Sequence, residues 1–178
     1  KPDLIVLTGD YVLQTASSIF ELAPVLASLN ARYGIFTVLG NHDLWAHAET
    51  VRAGLQQAGL PILRNEGLAL DVGGAMLYLA GVDDGWSGQP DLNAALAKWP
   101  VNTPAILLAH EPDLVDVFPL DGRVSLQLSG HSHGGQVRLP GIGAPILPYL
   151  GQKYDQGLFK VNETWVYTNR GIGVIDVP

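Results

Sequence analysis

The sequence predicts an α/β protein: a sandwich of two mixed β-sheets flanked by helices, in α/β/β/α layers. Three observations carry this prediction. Short apolar runs alternate with helix-like patterns as far as residue 58, a Gly-Gly pair separates two strand-like runs in the middle, and a second hairpin pattern closes the chain.

Each element follows from its residues. The run 4–7 (Leu-Ile-Val-Leu) is short and wholly apolar, as a buried strand is. A helix ending near Asn30 is expected next: Ser18 and Glu21 have capping-box spacing, and Leu22, Val25, Leu26 and Leu29 fall on one stripe. Pro24 lies past the first turn of a helix begun at Ser18, so the helix either kinks or starts nearer Glu21. A strand over 35–39 and a helix over 46–58 complete the βαβα rhythm. Residues 68–72 and 75–79 flank Gly73-Gly74 and predict a hairpin. A short helix near 91–98 and a buried strand at 105–108 follow. Three prolines and two glycines between 139 and 148 predict a loop, and 159–161 with 164–168 predict the closing hairpin.

Composition narrows the functional classes. At 178 residues, 47% apolar and 15% charged, the chain suits a single domain, 1–178, with a substantial core. No apolar run reaches the roughly 18 residues of a membrane span. The chain opens Lys1-Pro2-Asp3 and enters an apolar run at once, so it is expected to be a piece of a longer protein, with any membrane anchor upstream. Without cysteine, disulfides, thiolate catalysis and thiolate zinc sites are excluded. The net charge is −7 and the ten Lys and Arg are scattered singly, which argues against binding a nucleic-acid backbone.

Four segments share one design, in which an apolar run passes into a glycine or polar turn carrying metal-type ligands. They are Gly9-Asp10, Gly40-Asn41-His42-Asp43, His110-Glu111 and Gly130-His131-Ser132-His133. Strand ends are where α/β sheets gather binding residues. In extended chain His131 and His133 would share a side about 6.6 Å apart, close enough to serve two ions about 3.5–4 Å from one another. Asp10 has two oxygens with which to bridge such ions, and Asn41 offers a neutral oxygen. Asp, Asn and His without sulfur suit Mn, Fe, Zn or Mg. Plainer readings exist for each segment: Gly9-Asp10 as a turn, Asn41 or Asp43 as a helix cap, and His110 as a strand-end residue. His47 reads as a surface helix residue, Asp83 and Asp84 as loop, and Arg138 and Arg170 as solvated or ion-paired.

Taken in order, GDYV at 9–12, GNHD at 40–43, HEPD at 110–113 and GHSHGGQ at 130–136 resemble the calcineurin-like metallophosphoesterases. The last motif and Gly81-Val82-Asp83-Asp84 look most like its bacterial membrane-anchored phosphohydrolase subgroup. The resemblance implies the metallophosphoesterase-type sandwich and a metal-dependent phosphomonoesterase or phosphodiesterase with two divalent ions and a metal-activated water. By position, Asp10 would bridge both ions, Asn41, His110 and His131 would complete one, and His133 would bind the other. His42 would face the substrate as an acid, and Asp43 would orient its neighbours. The family's first Asp-x-His motif has no counterpart here, so an N-terminal strand and a C-terminal strand are expected to lie outside this stretch, which alone would hold its second metal weakly and show impaired activity. The implied partner is a small phosphorylated substrate, with a lipid-linked nucleotide-sugar pyrophosphate as one alternative and a non-catalytic scaffold of the same fold as another. The implied setting is bacterial and membrane-associated through a segment before Lys1.

Overall fold

The computed structural model describes residues 1–118 and 122–175. Ile5–Leu7 (β1) and Ile35–Thr37 (β2) pair in parallel, with Ile5 opposite Ile35. A six-stranded sheet comprises Glu66–Val72 (β3), Ala75–Gly81 (β4), Ala105–Leu108 (β5), Val124–Ser129 (β6), Gly157–Val161 (β7) and Thr164–Thr168 (β8). Its order is β3-β4-β5-β6-β8-β7. The four inner strands are parallel and an antiparallel hairpin closes each edge, so this sheet is mixed. The smaller sheet is purely parallel in its described strands.

Alternation along the strands builds the layers. Leu79 of β4 and Leu108 of β5 face the small sheet and pack with Phe36, Val38 and Leu63. Tyr78 and Ala80, one position away, face outward against Leu92, Ala95 and Leu114. On the far side of the small sheet, Leu39 packs with Ile19, Ala23, Val51 and Leu55 from the helices Ile19–Ala27 (α1) and Asn41–Gln57 (α2). Full burial of side chains such as Leu55, Leu79 and Leu108 contributes about 1.5–3 kcal/mol each.

Several sequence expectations shift here. The Ser18–Glu21 capping box does not form: Ala16–Ser18 is a 3₁₀ turn, Ser18 already has helical dihedrals, and its side chain caps nothing. The buried face of α1 is Ile19 and Ala23, while Val25 is 62% and Leu29 45% exposed, so the predicted stripe is misplaced. The reason lies across the interface. Gly54 of α2 lacks the Cβ that would sit 2.5 Å from Ile19 Cγ2, and this lets Ile19 seat itself against α2. Pro24 falls inside α1.

The second helix begins at Asn41, earlier than expected, and breaks at His47 (φ 164°, ψ 97°). His47 is no ordinary surface helix residue. Its Nδ1 lies 2.9 Å from Thr50 Oγ1 and accepts the Thr50 N–H at 3.3 Å, so it caps the second half of α2.

The helix expected near 91–98 is a single turn, Leu92–Ala95 (α3), capped by Asp91, which accepts the Ala94 N–H at 2.9 Å. The Gly73-Gly74 hairpin forms as read, with φ of 65° and 92° at the two glycines. Among the described residues, no helix is long and apolar enough to cross a membrane.

Candidate metal centre

The ends of β1, β2, β5 and β6 open into one group of loops, and the predicted ligands lie on them. Asp10 follows β1, Asn41 opens α2 after β2, His110 follows β5 and His131 follows β6. Three of them meet. Asp10 Oδ2 is 3.1 Å from His110 Nε2, which is 3.1 Å from His131 Nδ1. Ligand atoms of these three residues all lie within 4.8 Å of one another, a group able to hold a metal ion.

Each imidazole is fixed from behind by a carbonyl. His110 Nδ1 lies 2.6 Å from Thr8 O, and His131 Nε2 lies 2.8 Å from Tyr149 O, leaving one nitrogen of each ring turned inward. Glycine makes this approach possible. A Cβ on Gly9 would come within 2.8 Å of His110 Nδ1, and one on Gly40 would overlap both the Asp10 carboxylate and the His110 ring.

The donor set fits a divalent cation on three counts. It consists of carboxylate, amide oxygen and imidazole. Among the described residues Asn41 Oδ1 is buried without a hydrogen-bond partner, an oxygen that ought to accept. Asp10, His131 and His133 all have positive φ (60°, 67° and 50°), strain of the kind found where function fixes the backbone.

Electrostatics point the same way. Burial alone would lower the pKa of His110, but the adjacent Asp10 carboxylate and the Thr8 carbonyl raise it to about 10. Burial and then the neighbouring His110 push His131 down to about 4. Burial opposes ionisation of Asp10, yet His110 holds its carboxyl below the ordinary range. Without a cation, one proton on His110 takes the place of positive charge in this cluster.

Asp43 does not point at the cluster but binds the loops around it. Its carboxylate accepts the N–H groups of Gly40, Asp10, Tyr11 and Val12 at 2.9, 2.9, 2.8 and 3.2 Å. It is fully buried, which raises its carboxyl to about 6 against the pull of those donors. The helix-cap reading and the loop-orienting reading of this residue therefore describe one arrangement. The His42 N–H donates to Asp10 Oδ1 at 2.9 Å, and His42 Nδ1 lies 3.3 Å from Leu13 O.

His133 lines the same cavity, of about 710 Å³, as Asp10, His110 and His131, but lies outside their cluster. The extended geometry expected for SGHSHGGQ is not formed. Ser132 donates to Asp155 O at 2.5 Å and accepts the Gly134 N–H at 3.2 Å, which curls the chain into a 3₁₀ turn over His133–Gly135. Nδ1 of His133 lies 3.3 Å from Gly173 O. Arg138 is ion-paired with Asp155 at 2.5 Å.

Sequence reasoning missed two features. Asp83 and Asp84 lie in a loop, as read, but their burial was not foreseen, and Asp84 meets the equally buried Glu111. Burial, and then Glu111, raises the Asp84 carboxyl, so its charged form is disfavoured. The adjacency of Glu111 to His110 was the available hint. The second feature is an aromatic run beside the site, His42–Trp45–Trp86–His131, with ring centroids 4.9, 5.0 and 5.9 Å apart.

Comparison with known proteins agrees with this geometry. Over 182 residues the chain is 38% identical to the uncharacterized metallophosphoesterase YkuE of Bacillus subtilis, covering 100% of this chain and 63% of that protein. It is 37% identical over 180 residues to phosphodiesterase YaeI of Escherichia coli, covering 97% and 64%. The chain thus spans a little under two thirds of the length of these relatives. In fold it resembles the NAD nucleotidase of Haemophilus influenzae, at a TM-score of 0.58 and 18% identity, over 93% of this chain and 35% of that one. The family model described as "Calcineurin-like phosphoesterase" matches residues 1–135, and the chain belongs to that family.

Proposed function

We propose that this chain is the catalytic domain of a metal-dependent phosphohydrolase that cleaves phosphomonoesters or phosphodiesters. The observation that carries the reading is the Asp10–His110–His131 cluster, with the unpartnered Asn41 Oδ1 in the adjoining motif. Asp10, Asn41, His110 and His131 would hold one ion, while Asp10 and His133 would serve a second. Such ions supply the charge that holds phosphoryl oxygens and acidifies an attacking water.

The chain's own groups do the rest. Asp43 keeps the Asp10 and Asn41 loops in register by gathering four N–H groups on one carboxylate. The Thr8 and Tyr149 carbonyls hold the two imidazoles so that their inner nitrogens converge. His42, tied through its backbone to Asp10, donates a proton to the leaving oxygen, a role worth about 10² to 10⁴-fold in rate. The single-domain boundary 1–178 and a membrane-associated bacterial setting belong to the same reading. The metal could be Mn, Fe, Zn or Mg.

The test uses full-length protein loaded with manganese and a bis-nitrophenyl phosphate substrate. His131→Ala should lose bound metal and activity together. His42→Ala should keep its metal and lose activity; an unchanged rate in that variant would remove His42 from the mechanism. No hydrolysis by the loaded wild type would overturn the reading.

A further inference from the structure

Beside His42 lies a groove of about 390 Å³ lined by Leu13, Gln14, His42, Trp45, Ala46 and Ile175. Apart from the imidazole, no lining side chain is ionisable, so the groove suits a neutral occupant. Trp45 is the unusual member. It is a large aromatic residue left 51% exposed, yet its indole is not free to swing, because Nε1 donates to Ser87 Oγ at 2.6 Å. The turn that carries Ser87 is itself anchored: Asp84 Oδ1 accepts the Ser87 N–H at 2.5 Å, and Glu111 Oε1 accepts the Trp86 N–H at 3.2 Å. The buried acid pair thus fixes the indole through Ser87.

The neighbouring rings do not stack on Trp45. His42 meets it at 69° and Trp86 at 80°. The result is a rigid indole with half of its surface exposed, next to the residue that donates the leaving-group proton. A fixed aromatic surface favours a flat ring over a flexible chain, because stacking adds to simple apolar burial and the side chain loses no further freedom on binding.

We propose that this groove is the leaving-group subsite, and that it selects phosphoesters whose leaving alcohol carries a neutral planar ring, an aryl group or a nucleobase, laid on Trp45. The proposal rests on the phosphohydrolase reading, and its test separates the two.

Calorimetry on metal-loaded full-length protein would compare phenyl-, cyclohexyl- and methylphosphonate, which are not hydrolysed. Phenylphosphonate should bind about five- to tenfold tighter than its cyclohexyl analogue, the scale of one aromatic contact. In Trp45→Leu that preference should fall to about one. Trp45→Phe should restore part of it, and Ser87→Ala, which frees the indole, should reduce it. Equal binding of the phenyl and cyclohexyl compounds by wild type, or a preference that persists in Trp45→Leu, would overturn the proposal.

A ¹⁵N spectrum of the four tryptophan indoles, with Trp45 assigned by its absence in Trp45→Phe, gives a readout independent of phosphate. Failure of the phosphohydrolase reading would appear as loss of binding by all three phosphonates. Adenosine, a ring without phosphate, should still shift the Trp45 resonance, and a silent resonance would sink the subsite.

Discussion

The two halves of the site are built on different sheets and stabilised by opposite means. The half on the small sheet, Asp10 and Asn41 to Asp43, is held by one carboxylate that accepts four backbone N–H groups. The half on the large sheet, His110 and His131, sits beside a pair of acids, Asp84 and Glu111, that face each other. In the first half four donors partly offset the burial of the charge, which still raises the Asp43 carboxyl to about 6. In the second, burial and the facing acid raise the Asp84 carboxyl. The small-sheet half should therefore depend on one side chain, whose carboxyl is raised to about 6, while the large-sheet half should respond to pH over a wider range and tolerate neutralisation.

The largest effect is expected from Asp43→Ala. Four N–H groups lose their acceptor, and a buried donor left without one costs about 1–3 kcal/mol, so a total of several kcal/mol is expected, incomplete because the loops relax. Chemical denaturation should show this loss, accompanied by loss of bound metal. Next comes Gly40→Ala, whose new Cβ would overlap the Asp10 carboxylate and the His110 ring. A loss of about 1–3 kcal/mol is expected, with weakened metal binding by calorimetry. If either variant keeps full stability, the small-sheet half is not held as described.

The large-sheet half is tested by pH. The folded-state pKa of Asp84 lies above its unfolded value of 3.8, so between the two the native state binds a proton that the unfolded chain has released. Its contribution is favourable below about pH 4 and is lost as pH rises toward the folded pKa. His110 acts in the same direction at higher pH in metal-free protein. Its folded pKa of about 10 gives stability that is full below about 6.5 and disappears as pH rises through 10. Metal-free protein should therefore lose thermal stability as pH rises, and Asp84→Asn should flatten the lower part of that curve. Metal should bind more tightly as pH rises, with proton release, because His110 must give up its proton to act as a ligand.

The smallest effect is expected from Gly73→Asn. Asparagine accepts the positive φ of that turn, so stability should move by about 0.5 kcal/mol or less and activity should not change. A glycine at the site and a glycine at the turn thus differ in what surrounds them, since a Cβ on Gly73 would meet only Tyr33 Oη, at an ordinary 3.7 Å.

What could be read from the sequence follows the same division between local and distant causes. The Gly-Gly hairpin, the buried strand at 105–108 and the proline-rich loop have their causes within a few residues, and all three appear in the structure. The three residues that converge were also legible, because each follows a strand in a compact motif. The misplaced stripe of α1 was not, since Ile19 is buried on account of Gly54, 35 residues further along. The break at His47 has no glycine or proline to announce it and arises from an imidazole acting as a cap. The Asp84–Glu111 pair is invisible for a similar reason: the two acids are 27 residues apart, and only β4 and β5 running side by side bring them together.

The left-handed backbone at Asp10, His131 and His133 limits how this site can change over evolutionary time. Among residues with a side chain, Asn, Asp and His are the ones enriched in that conformation. All three can ligate a metal. Substitutions that the backbone accepts at these positions therefore exchange nitrogen for oxygen donors more readily than they delete a donor. A lineage carrying this loop geometry can drift in metal preference, from softer toward harder ions, while the fold itself keeps a ligand in place.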